Sequence, residues 1–199
     1  MTAAVDEAAV RARFEDLLER AGNPVLYLDR RIGIGFVDEG GVYSQGTDIV
    51  VARLWIESLP PGAIDALIAR QIGAASAITG PGPVLALAAA RLARYLRTLM
   101  WCGGLISFAF VPPRTAAAIC VAAFLIGHVV CHLLRRIEYA LDAYAVDLVG
   151  AEALAECLDL LRLPFNGTLE WALFVFGYGT HPRLDDRIRR VRKLIRQEP

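Results

Sequence analysis

Hydrophobic and polar positions follow helical and strand-like patterns along the first 77 residues. Residues 1–22 place apolar side chains every three or four positions, which predicts an amphipathic helix ending near Gly22. The segments "PVLYLD" and "IGIGFVDE" predict short strands, and "GVYSQGTDIVVARLWIESL" predicts a turn, a strand and a short helix. After a Pro-Pro-Gly turn, "AIDALIARQIGAASA" (63–77) has the spacing of a helix.

Two apolar runs follow, separated by Pro112-Pro113-Arg114. The second, "TAAAICVAAFLIGHVVCHLL", has about 20 residues, the length that a helix needs to cross a bilayer. The first, "LMWCGGLISFAFV", reaches that length only by including "LARYLRT", with arginines extending to the interface. We therefore predict an inserted transmembrane helical hairpin at residues 92–134. The alternative is a buried helical hairpin in a soluble protein.

The placement of arginines predicts the orientation of this hairpin. Three arginines precede the first apolar run and two follow the second, whereas the tip between the runs carries only Arg114; the flanking residues are Arg91, Arg94, Arg97, Arg135 and Arg136. Because positive residues stay on the cytoplasmic side, we expect both ends of the hairpin, and with them the folded domain, to face the cytoplasm.

The C-terminal segment "RLDDRIRRVRKLIRQ" also has two interpretations. Its apolar stripe (Ile188, Val191, Leu194 and Ile195) is flanked by basic residues, as in helices that lie on an anionic leaflet. A helix docked on the domain with a solvated basic face has the same pattern.

Composition narrows the classes of function. Lys+Arg and Asp+Glu both total 21, so overall charge does not favour nucleic acid as a partner. Hydrophobic residues make up 56% of the chain and mean hydropathy is +0.45, which is high for a soluble domain. The four cysteines form no Cys-x-x-Cys pair and lie in apolar segments, which favours free thiols on a reducing side.

The second apolar run continues without a helix breaker into "RRIEYALDAYAVDLVG". This predicts one long helix that leaves the membrane and enters the domain. Glu138 and Asp142 are four residues apart and therefore share a helix face.

Four segments, in order, resemble the HtpX-like and CAAX-prenyl-protease-like family of membrane zinc metallopeptidases. They are the strand, short-helix and helix region ending in "IARQIGAAS", the apolar hairpin, "RRIEYALDAYAVDLVG" and "GTHPRLDDRIRRV". The resemblance implies an α+β, mainly α fold: one zincin-like metallopeptidase domain over residues 1–199, with a small sheet and the inserted hairpin. It places Glu138 at the third zinc-ligand position and His181 at the histidine of a Thr-His-Pro segment.

The chain departs from this family at the zinc-binding helix. The family's His-Glu-x-x-His sequence sets two imidazoles on one helix face and places a general base between them. Here those positions hold Arg70, Gln71 and Ala74. Arginine stays protonated, alanine has no lone pair and a glutamine amide cannot accept the proton, so we expect no hydrolysis and no bound cofactor.

We hypothesise that Arg70 replaces the metal charge and bridges to Glu138, with Asp142 as a further partner. The alternative is that Glu138 pairs with Arg135, three residues earlier on its own helix. His181 is expected to be structural, hydrogen-bonded near the former cleft.

A second candidate site is "HVVCH", where His128 and His132 are four residues apart with Cys131 beside them. That spacing suits a metal ion or haem. Histidines within apolar helices also form hydrogen bonds between helices, and this interpretation is favoured.

The predicted function is therefore a catalytically inactive, membrane-tethered metallopeptidase homologue that acts as a binding or scaffold subunit. Its expected partners are membrane lipid and a protein or membrane complex. Two alternatives remain: an active zinc peptidase with non-standard ligands such as His128, His132 and Glu138, and a carrier of metal or haem that uses the histidine pair.

Overall fold

The computed structural model describes residues 6–26, 30–45, 48–77, 92, 95–96, 98–161 and 182–195, and the structural statements that follow concern these residues. The chain divides into two compact units. The first comprises Met1–Gly80, Ala140–Arg162 and Leu184–Pro199, and the second comprises Pro81–Tyr139 and Leu163–Arg183.

The first unit begins with the predicted amphipathic helix, α1 (Glu7–Arg20). Asp6 caps it by accepting a hydrogen bond from the Ala9 amide at 2.9 Å. The helix ends before Gly22, whose φ of +77° suits glycine and turns the chain. Its buried face consists of Val10, Phe14, Leu17 and Leu18.

The predicted small sheet is present and is mixed. Strands β1 (Val25–Leu26) and β2 (Arg30–Arg31) form an antiparallel pair. Strands β3 (Gly33–Val37), β4 (Val42–Gln45) and β5 (Asp48–Ala52) form a second sheet in the order β3-β5-β4. Strand β3 is parallel to β5, and β4 is antiparallel to it. The prediction of a turn before β5 was wrong for Val42–Gln45, which pair with β5 as a strand.

Helices α2 (Arg53–Ser58) and α3 (Pro61–Ala77) follow β5 directly. Helix α3 is buried along two faces, as expected of an apolar helix inside a core. Its isoleucines (Ile64, Ile68 and Ile72) pack with α1 and the sheet, and its alanines (Ala63, Ala66 and Ala69) belong to a second core cluster.

The long helix predicted to run past the apolar segment is α5 (Pro113–Val149), whose 37 residues extend from the second unit into the first. Its C-terminal part packs closely on α3. A Cβ atom at Gly73 of α3 would lie only 2.7 Å from Cδ1 of Tyr144, so glycine is required there for the helices to approach. Arg20 of α1 donates a hydrogen bond to the Leu148 carbonyl at 2.8 Å and so caps the end of α5.

Within the second unit, helix α4 (Thr98–Ser107) packs against the N-terminal half of α5. A Cβ atom at Gly104 would lie 2.7 Å from Sγ of Cys120, so the two backbones approach closely. The buried side chains of this part of α5 include small ones, Ala116, Ala123 and Cys131. Large apolar side chains lie exposed instead: Leu105, Ile106, Val121, Leu125, Val129 and Leu133. In the part of the chain that the structure describes, α5 is the helix long and apolar enough to cross a membrane.

Helices α6 (Ala151–Leu160) and α7 (Leu184–Ile195) complete the first unit. Gly150, with φ of +87°, separates α5 from α6. Ile188 and Val191 of α7 are buried in the cluster that contains α6, whereas Arg189 is exposed. Of the two interpretations of the C-terminal segment, the structure therefore has the helix docked on the domain, with Arg189, Arg190, Arg192 and Lys193 exposed and Arg187 buried.

The structure thus contains the predicted α+β, mainly α fold with a small sheet. The zincin-like topology, the single domain over residues 1–199 and the inserted hairpin at 92–134 stay predictions.

Candidate functional site

Three helices of the first unit each contribute one charged side chain to a buried ion network. The carboxylate of Asp142, on α5, is 3% exposed. Arg187 of α7 binds it through two hydrogen bonds, from Nε to Oδ2 at 2.8 Å and from Nη2 to Oδ1 at 2.7 Å. Arg70 of α3 forms an ion pair with the same carboxylate, its Nε lying 2.8 Å from Oδ1. We refer to Arg70, Asp142 and Arg187 as the ion network.

Local packing explains why these side chains point inward. Arg70 lies one turn after the buried Ala66 on the same face of α3, and Asp142 lies three residues before the buried Ala145. Arg187 lies one turn before the buried Val191 on α7 and is itself 8% exposed. A charge in such surroundings requires a partner, and a two-pronged guanidinium–carboxylate contact satisfies both groups with good geometry.

Cys157 of α6 is a fully buried thiol in the electrostatic field of this network. Burial raises the pKa of Cys157 to about 11, although the positive charges of Arg70 and Arg187 act in the opposite direction. The thiol is therefore protonated at neutral pH and lacks the thiolate that a nucleophile or metal ligand requires.

Gln71, next to Arg70, joins α3 to strand β4. Its Nε2 donates to the Val42 carbonyl at 3.2 Å, and its Oε1 accepts from the Ser44 hydroxyl at 2.9 Å. Both ends of the amide are therefore engaged in hydrogen bonds. Ala74, one turn later, is half-buried and contributes only a methyl group.

The hypothesis that Arg70 replaces the charge of the metal ion predicts contacts with Glu138 and with Asp142. The structure brings together Arg70 and Asp142. Glu138 lies one helical turn before Asp142 on α5, in the second unit, and is half-buried. Its predicted bridge to Arg70 and the alternative pair with Arg135 both stay predictions. His181 lies outside the described residues.

His128 and His132 are exposed on successive turns of α5. The His128 ring is tilted against Phe124, with centroids 4.4 Å apart. Within the described residues, no group of three or more His, Cys, Asp or Glu side chains is arranged to hold a metal ion. The metal and haem interpretations of "HVVCH" therefore rest on its spacing alone.

Arg187 is the member of the network whose role the sequence analysis missed. In the sequence it is one of several arginines in the basic C-terminal segment. The available signal was its position: Arg187 is three residues after Leu184 and four before Val191, so it falls within the apolar stripe of α7. A charge at such a position indicates a buried partner.

No protein-family model matches this chain, and no curated protein or solved structure matches it at a significant level.

We predict that Asp142→Asn destabilises the protein strongly, because a neutral amide cannot compensate two guanidiniums at a buried position. Breaking a buried ion pair on one side typically costs about 3–5 kcal/mol. The measurement is the free energy of unfolding in denaturant, in a mild detergent. Asp159→Asn is the matched control: it removes a partly exposed partner of Arg192 and is expected to cost less than about 1 kcal/mol. Equal losses in the two variants would contradict the assigned role of Asp142.

We also predict that Cys157 resists alkylation by N-ethylmaleimide at pH 8 in the folded protein and reacts readily after unfolding. A Ser58→Cys variant supplies an exposed thiol on α2 as the positive control. Labelling is followed by peptide mass spectrometry. The pKa of the thiol is near 9.0 in the unfolded chain and about 11 in the folded protein. The free energy of unfolding should therefore fall as pH rises from 9 to 11, and Cys157→Ala should remove this pH dependence. Labelling of Cys157 as fast as position 58 would contradict the prediction.

Proposed function

We propose that this protein is a catalytically inactive homologue of membrane zinc metallopeptidases, anchored by α4 and α5, that acts as a binding or scaffold subunit. The observation that carries the proposal is the ion pair between Arg70 and Asp142. It occupies the helix position that the resemblance assigns to the first histidine ligand.

The chemistry of the ion network argues against hydrolysis. A catalytic zinc site needs three protein ligands and an open position for water. Arg70 offers no lone pair, and its guanidinium is joined by that of Arg187 at the same carboxylate. Two fixed positive charges also repel a divalent cation, so the network takes over the electrostatic role of a metal without supplying its reactivity.

Gln71 supports the same conclusion. A general base must accept a proton from the attacking water, and an amide is not basic enough to do so. The contacts with Val42 and Ser44 give the residue a structural role between helix and sheet.

A binding role is supported by strand β4, which lies beside this position. Among the described strands it pairs only with β5, and Tyr43, Ser44 and Gln45 are exposed on it. An extended segment of a partner protein can add to such an edge through backbone hydrogen bonds. The proposed partner is therefore a peptide segment of a membrane-associated protein, held without cleavage.

Membrane anchoring is supported by the distribution of side chains in the second unit. Gly104 of α4 lies against Cys120 and Ile119 of α5, Ala116 and Ala123 of α5 are buried, and many large apolar side chains are exposed. This pattern is typical of helices packed within lipid, where small residues allow close approach and no water penalises exposed leucine. Together with the arginines at the ends of the predicted hairpin, it supports a domain on the cytoplasmic side.

The proposed inactivity is tested by the metal content of the full chain, purified in detergent from cells supplied with zinc. We expect far less than one zinc per chain by elemental analysis, and no peptide cleavage above that of a mock purification. The reason is that the ligand positions hold side chains that do not bind zinc. Stoichiometric zinc together with chelator-sensitive cleavage would overturn the proposal.

The anchoring is tested by alkaline carbonate extraction of membranes. The wild-type chain is expected to stay in the pellet. The double variant Val121→Arg, Leu125→Arg should fail to insert, because each arginine at the centre of a span costs about 2.5–3.5 kcal/mol. Ala143→Arg, at an exposed position of α5 in the first unit, is the matched control and should stay in the pellet. A wild-type chain found in the supernatant, or a double variant that extracts like wild type, refutes the anchor.

A further inference from the structure

The hydrogen-bonding pattern of β4 determines which of its backbone groups face away from β5, toward the edge where no other described strand pairs. The Ala52 amide donates to the Gly41 carbonyl at 3.0 Å, so the backbone groups of Gly41 face β5. In an antiparallel pair the backbone groups of successive residues face opposite sides. The backbone groups of Val42 and Ser44 therefore face away from β5, along the edge that an incoming strand would use.

The Gln71 amide lies at this edge. Its Nε2 donates a hydrogen bond to the outward-facing carbonyl of Val42, and its Oε1 accepts one from the hydroxyl of Ser44, two residues further along the strand. The position of the amide is well determined, since the preceding Arg70 is held by Asp142 and the following Ile72 is fully buried.

The contact also explains why the side chain is an amide. The site requires a hydrogen-bond donor toward the Val42 carbonyl and an acceptor toward the Ser44 hydroxyl, both on the terminal group of one side chain. Glutamine supplies both. Ionised glutamate supplies two acceptors, and one of them would face the Val42 carbonyl oxygen without a proton between them.

We propose that Gln71 is a latch that closes to strand addition the edge of β4 opposite β5, where no other described strand pairs. A strand that adds at this edge must donate its own amide hydrogen to the Val42 carbonyl, so it competes directly with Gln71 Nε2. The inference deepens the proposed function, because it makes peptide binding at β4 conditional on release of Gln71. The closure itself rests on the two hydrogen bonds and does not depend on the identity of the peptide.

The first measurement is hydrogen exchange of the full chain in detergent, followed for the Tyr43 and Gln45 amides, which face β5. Gln71→Ala and Gln71→Glu should both accelerate this exchange about fivefold, since each removes the tie between α3 and the outer side of β4. Gln45→Ala is the matched control: it shortens an exposed side chain of the same strand and should leave the exchange of Tyr43 unchanged. Exchange in α1 reports whether a variant has lost its fold as a whole.

The second measurement is binding of a fluorescein-labelled peptide that copies residues 47–54 (TDIVVARL), a segment that contains strand β5, the antiparallel partner of β4. Gln71→Ala should bind it about fivefold tighter than wild type, as expected for removal of one competing hydrogen bond. A peptide with proline at the two central valines lacks the required amides and should not bind.

The outcomes separate the two proposals. Faster exchange with tighter binding supports the latch. Wild-type exchange in both Gln71 variants, or equal peptide affinity of wild type and Gln71→Ala, overturns it and leaves the binding role of the edge intact. Faster exchange without peptide binding by any variant supports closure by Gln71 and overturns the peptide-binding role of β4.

Discussion

A buried carboxylate held by two guanidiniums constrains this structure more than any single apolar contact does. Asp142 receives Arg70 from α3 and Arg187 from α7, so one side chain joins helices whose residues lie 72 and 45 positions away along the chain. Removing Asp142 leaves two guanidiniums without their shared carboxylate at a largely buried position, and that penalty is far larger than the loss of a surface pair. The network therefore requires the C-terminal helix to be docked, and docking of α7 in turn completes the cluster around α6.

Apolar packing alone would determine the rotation of α3 less well. The helix has isoleucine on one buried face and alanine on another, and hydrophobic burial is not directional. Arg70 and Gln71 fix the rotation of α3 about its axis, because their side chains leave the helix about 100° apart and each has its own partner. One side chain engages Asp142 and the other engages β4, so the helix is held on two sides by contacts with strict geometry.

Periodicity was sufficient to predict α1, the presence of a small sheet and the continuous helix α5. It did not predict strand β4, because Val42–Gln45 lies in a short segment rich in polar residues and glycine that is typical of a turn. The rotation of α5 about its axis could not be predicted in the same way. The sequence places Glu138 and Asp142 on one helix face but does not say what that face contacts. The structure pairs Asp142 with Arg70, beside the close approach of Tyr144 to Gly73. For α7, the amphipathic pattern was equally compatible with lipid and protein, and burial of Ile188 in the α6 cluster decides between them. Arg187 was missed because a charge in a basic segment usually lies in solvent.

Under the proposed function, the ion network also accounts for the survival of the fold after the loss of its ligands. A bound metal crosslinks the elements that supply its ligands, and its binding free energy contributes directly to folding. A chain that loses the ligands loses this crosslink, and any carboxylate that remains is left buried without a cation. Arg70 and Arg187 meet both requirements at once, since they join α3, α5 and α7 and neutralise Asp142. Helix α3, which holds the catalytic residues in an active member of the family, can then persist as a structural element. Its Gln71 forms hydrogen bonds with the adjacent strand β4.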